Sequence, residues 1–166
     1  MMEAKHKIGL RTTKTAIAVF LCLLLDMVLD TSSMDMFYAA IAAIVCMRET
    51  PDQSLLIGRD RFIGTLLGGI LGFGLMNLKN SIPFYEEALY LFVVPLGILI
   101  CIYVCILINK RDAVVICCVV YLGIALDPML NVEYTLTYIF MRVAFTTVGI
   151  VIATLLNKFF FPYREQ

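Results

Sequence analysis

Only one histidine, His6, occurs in 166 residues, and no phosphate-cradling glycine loop, zinc motif or nucleophile elbow accompanies it. His6 sits in a basic N-terminal tail with no nucleophile beside it, so local sequence builds no catalytic triad. The chain does not read as an enzyme. Charge is also scarce: 16% of residues are Asp, Glu, Lys or Arg, 13 basic against 13 acidic. Zero net charge leaves no cationic surplus to neutralise phosphates, which argues against nucleic acid as a partner. Six cysteines (Cys22, Cys46, Cys101, Cys105, Cys117, Cys118) all fall inside apolar runs without zinc-type spacing. They read as small hydrophobes, and neither metal nor cofactor is expected.

What the chain does have is apolar sequence. Hydrophobic residues make up 61% of it, and the mean hydropathy of +0.93 excludes a soluble globule of this length. The charges cluster between long apolar runs, as loops do between membrane helices. The first run, Thr15 to Leu29, extends back to Ile8 and lacks a small-x-small cleavage site, so it reads as an uncleaved first helix. Five more follow: Met34 to Met47, Phe62 to Leu78, Tyr90 to Ile108, Ala113 to Leu126 and Thr135 to Phe161.

The second and fifth runs are short enough to leave their crossing in question, and loop charge decides it. With six crossings and the N-terminus inside, the inner loops hold Lys5, Lys7, Arg11, Lys14, Arg48, Arg59, Arg61, Lys110, Arg111, Lys158 and Arg164. Only Lys79 and Arg142 remain outside. Omitting the second helix destroys this bias. The expected fold is therefore an all-α membrane protein, a single domain over 1–166 with six transmembrane helices and both termini cytoplasmic. Thr50, Pro51 and Gln53 form a helix start. From there an amphipathic turn carrying Ser54, Arg59 and Asp60 is expected on the cytoplasmic surface before lipid begins at Phe62. Tyr85, Tyr134, Tyr138 and Tyr163 fall where interfacial aromatics belong.

A pattern repeats along the chain. Arg61, Thr65, Gly68 and Gly72 in the third helix match Arg142, Thr146, Gly149 and Ala153 in the sixth, all at an offset of 81. Spacings of four, three and four put each set on one helix stripe. The chain thus reads as two three-helix halves, approximately 1–80 and 81–166, inverted because three crossings is odd. Gly64, Gly68 and Gly72 recur every four residues and are expected to let a neighbouring backbone approach.

Ionisable groups within the membrane supply the candidate site, because they are costly there and usually face an interior or water. Asp26, about one turn from the outer end of helix one, is either an interfacial aspartate beside Asp30 or a pathway group. Arg61 reads first as an orientation anchor. Arg142 lies against the charge bias, so it pairs structurally with Asp26, Asp30 or Glu133, or it holds substrate. Arg142 with Thr146, Arg61 with Thr65, and Asp26 form the candidate set for an organic anion.

The segments Ile8-Gly-Leu-Arg-Thr-Thr-Lys-Thr-Ala-Ile-Ala-Val-Phe, Phe37-Tyr-Ala-Ala-Ile-Ala-Ala-Ile-Val-Cys-Met, Arg59-Asp-Arg-Phe-Ile-Gly-Thr-Leu-Leu-Gly-Gly and Arg142 to Asn157 resemble the membrane region of the bacterial aromatic acid exporter family. That family belongs to the fusaric-acid-resistance-like group, which also resembles plant malate channels. The resemblance implies efflux of aromatic or other organic acids across the cell membrane by a homo-oligomer. Larger members carry a soluble region after the membrane module, whereas only Tyr163 to Gln166 follow Pro162 here. An oligomeric anion channel and a non-transporting membrane subunit that needs a partner therefore stand as alternatives.

Overall fold

The computed structural model describes residues 10–29, 33–48, 50–81, 87–127 and 130–159. His6, Asp30, Tyr85 and Tyr163 lie outside them. All regular structure among the described residues is helical: α1 (Leu10–Leu29), α2 (Ser33–Cys46), α3 (Pro51–Ser81), α4 (Glu87–Leu107), α5 (Val114–Leu126) and α6 (Val132–Phe159), with a single 3-10 turn, Arg111–Ala113, before α5. Among the described residues, four segments are long and apolar enough to cross a membrane: Thr12–Leu29, Pro51–Ser81, Tyr90–Leu107 and Val132–Phe159. At 14 and 13 residues, α2 and α5 rise about 20 Å each, short of a hydrocarbon core of about 30 Å.

Local chemistry sets the helix ends. Thr50 caps α3, accepting the Gln53 amide on its hydroxyl at 3.3 Å, and Pro51 takes the first helical position, where no amide is needed. Asn109 ends α4 in the left-handed region, at φ 57°. The Lys110 amide then reaches Cys105 O and the Asn109 amide reaches Ile106 O, both at 2.9 Å. This pair of bonds satisfies carbonyls that a helix end otherwise leaves open. Inside the helices, hydroxyls bond their own backbone one turn back, Thr65 to Arg61 O at 2.9 Å and Thr154 to Ile150 O at 2.8 Å. Such bonds hide polar groups where hydrocarbon offers no partner.

Contacts divide the chain into two units, Met1–Gly58 with Thr147–Gln166, and Arg59–Thr146. In the first, α1 packs on α2; in the second, α4 packs on α5. The described helices are apolar on the outside as well as within, with Met27 88%, Phe92 74% and Val115 73% exposed. Hydrocarbon, not water, suits such a surface.

Glycine contacts occur in matching form in the two units. A Cβ at Gly68 would strike the carbonyl oxygen of Cys117 and come within 2.9 Å of the Val120 Cβ. A Cβ at Gly149 would strike the carbonyl oxygen of Ala39 and come within 2.8 Å of the Ala42 Cβ. Each glycine thus lies on the carbonyl of one residue and the Cβ three positions later, on α5 in one unit and α2 in the other. Close packing is the role of this stripe.

Two polar junctions tie helix ends. In the first unit, Lys14 of α1 donates to Asn157 Oδ1 of α6 at 2.9 Å; Asn157 Nδ2 donates to Arg48 O at 2.8 Å and to Ser54 Oγ at 3.0 Å. The Arg48 amide closes the set on Ser54 Oγ at 3.2 Å. Lys14, Ser54 and Asn157 are buried. In the second unit, Lys110 Nζ meets Asp60 Oδ1 at 2.6 Å. Ser54 and Asp60 are therefore enclosed by partners and do not form the exposed amphipathic turn that their sequence position suggests.

Candidate functional site

Arg142 projects from α6 within the second unit and is only 8% exposed. Its Nη1 donates to the Tyr138 hydroxyl at 2.6 Å, one turn earlier on the same helix, and its guanidinium carbon lies 5.7 Å from that ring's centre. The tyrosine thus gives the cation both an acceptor and a π face, which fixes its direction. Gly123 of α5 lies opposite this pair. A Cβ there would meet Tyr138 Oη at 3.1 Å and Arg142 Nη1 at 3.6 Å, so the absent side chain lets the phenol and the guanidinium lie close against the α5 backbone. Thr146, 4% exposed, follows one turn later on the same stripe.

The matching pair on α3 is arranged differently. Thr65 is 1% exposed, and its hydroxyl proton is committed to Arg61 O. An anion could receive that proton only after the hydroxyl rotates away from its carbonyl. Arg61 is half-buried at the start of the same unit. Asp26 belongs to the first unit, on α1, where it is half-buried. Its Oδ1 is enclosed and accepts no hydrogen bond among the described residues, a costly condition for a carboxylate. No group of three or more His, Cys, Asp or Glu among the described residues could hold a metal ion.

Residues 6–160 match the family described as "Aromatic acid exporter family member 1". The chain belongs to the aromatic acid exporter family. Among curated proteins it is similar to the UPF0421 proteins of Staphylococcus aureus strains USA300 and NCTC 8325, each 29% identical over 161 residues. The alignment covers 95% of this chain and 44% of each relative, so the chain spans under half the length of the curated relatives it matches. Their names state no substrate.

Within this exporter-family chain, sequence reasoning missed the roles of four residues. Tyr138 reads as an interfacial aromatic, yet it stands four residues before Arg142, the spacing at which side chains meet on a helix, so its role was open to discovery. Gly123 carries no local signal, because its value lies in the close approach it allows to side chains of a facing helix. Asn157 and Lys14 are 143 positions apart, and no periodicity joins them.

Proposed function

We propose that this chain is the membrane module of an exporter of aromatic or other organic carboxylates in the cell membrane. It crosses the bilayer six times, with both termini cytoplasmic, as two inverted halves within a homo-oligomer. The observation that carries this reading is a buried arginine on a helix long and apolar enough to cross a membrane, oriented by Tyr138 and lying close to the backbone of Gly123. Guanidinium presents two parallel donors to a carboxylate, and in a low-dielectric setting such a grip is strong. Thr146 lies on the stripe along which the anion would pass, and Arg61 with Thr65 holds the equivalent sequence positions in the other half. Asp26, in the other unit, is a separate candidate polar group for the transported anion. Family membership and the matching Gly68 and Gly149 contacts support the export and inverted-half readings.

Arg142→Gln and Arg142→Lys in proteoliposomes test the site. Export of a carboxylate panel should be lost in the first and retained in part in the second, with assembly unchanged in both. If Arg142→Gln assembles and exports every acid at the normal rate, Arg142 has no substrate role. If it fails to assemble, the arginine is a structural partner of Tyr138. Current at a fixed potential, without dependence on a proton gradient, would favour the channel alternative.

A further inference from the structure

Within the second unit, a half-open groove of about 290 Å³ runs between α3 and α4. Ile70, Gly74 and Leu78 line one side, Leu96 and Gly97 the other, and Tyr121 of α5 forms the floor. Apart from the Tyr121 phenol, these named groups are apolar. Two glycines make the groove. A Cβ at Gly74 would find nothing within 4 Å, and Gly97 lets the hydroxyl end of Tyr121 approach the α4 backbone. The rim residues Ile70, Leu78 and Leu96 are 63%, 47% and 57% exposed, so the groove opens on the apolar outer surface.

Size and length select the occupant. The volume is about twice that of a cavity that takes up benzene. From Ile70 to Leu78 the helix rises about 12 Å, close to the roughly 15 Å depth of one leaflet's hydrocarbon. Directly beyond Leu78, α3 turns polar with exposed Lys79, Asn80 and Ser81, the level at which a head group would lie. No charged side chain lines the groove. At the offset of 81, Gly74 corresponds to Leu155 of α6, so the other half carries a side chain where this half leaves space. We propose that the groove holds one acyl chain of a membrane phospholipid as a fixed part of the fold, with its head group level with Lys79 to Ser81. Lipid fills it because an unfilled apolar gap forfeits contacts that a flexible chain restores.

The test compares wild type with Gly74→Leu, whose new side chain enters open space and imitates the other half. Protein purified in mild detergent is assayed for bound phospholipid by native mass spectrometry. Because the sequence has no tryptophan, Leu96→Trp supplies a single reporter, titrated with phosphatidylcholine brominated in mid-chain. Wild type should retain one phospholipid per chain, and the reporter should be quenched by trace brominated lipid. Gly74→Leu should lose both signals while keeping its unfolding midpoint. Equal lipid retention and quenching in the two proteins would overturn the proposal, as would a lipid-free wild type. An oligomer present in wild type and dissociated in Gly74→Leu, with no lipid in either, would assign the groove to a second copy and equally overturn it. None of these readouts depends on export.

Discussion

Replacing Gly68 by alanine adds one methyl group where α3 meets α5, and the structure fixes what that group would encounter. The Cβ would overlap the Cys117 carbonyl oxygen and lie 3.1 Å from the Cys117 carbonyl carbon, backbone atoms that cannot rotate away. Relief requires the two helices to separate, and overpacking of this kind costs about 1–3 kcal/mol. Alanine returns about 1 kcal/mol through helix propensity, so the net loss is between about 0 and about 2 kcal/mol. Gly74→Ala isolates the propensity term, because its Cβ meets nothing within 4 Å, and it should stabilise by up to about 1 kcal/mol. Gly149→Ala should behave like Gly68→Ala, since it meets Ala39 and Ala42 of α2 in the matching way. Unfolding by denaturing detergent titrated into mild-detergent micelles measures all three. Equal stabilisation by Gly68→Ala and Gly74→Ala would mean that α3 and α5 are not in backbone contact, and the packing argument would fail.

Other perturbations address the junctions and the topology. Asn157→Leu removes the acceptor of Lys14 and the donor to Arg48 O and Ser54 Oγ, and should cost about 1–3 kcal/mol per stranded buried group in the same titration. Asn157→Asp should not restore stability, because an ionised carboxylate can receive Lys14 but cannot donate to the other two; full recovery would refute the bonding pattern. Asn109→Val forces a β-branched residue into the left-handed region and should destabilise by about 1–2 kcal/mol, whereas Asn109→Gly should be tolerated; the reverse order in melting midpoints would count against the α4 cap. Single cysteines at Ser81 and Asn131 in a cysteine-free background should react with an impermeant thiol reagent from outside intact cells, and labelling only after lysis would contradict six crossings with cytoplasmic termini.

Much of the fold was legible because helix ends carry local chemistry. Thr50 and Pro51 announce the start of α3, and charge clusters bracket each helix to within a few residues. Glycines at four-residue spacing announce a packing stripe, although the sequence does not say which helix they receive. Partners were the obscure part. In a membrane chain the face turned to lipid is as apolar as the face turned inward, so periodicity hardly separates them. Thus Ser54 and Asp60 looked like surface residues until Asn157 and Lys110 were placed beside them. Of the candidate site, Arg142 and Thr146 were readable from an intramembrane charge and a constant offset. The Tyr138 bond required geometry, and so did the close approach at Gly123.

Export itself is tested most directly with purified wild-type protein in liposomes loaded with a panel of aromatic and aliphatic carboxylates. The account predicts saturable release of at least one aromatic carboxylate that stops when the proton gradient is collapsed. Liposomes that retain every acid of the panel as tightly as protein-free ones, with the protein folded and inserted, would contradict it.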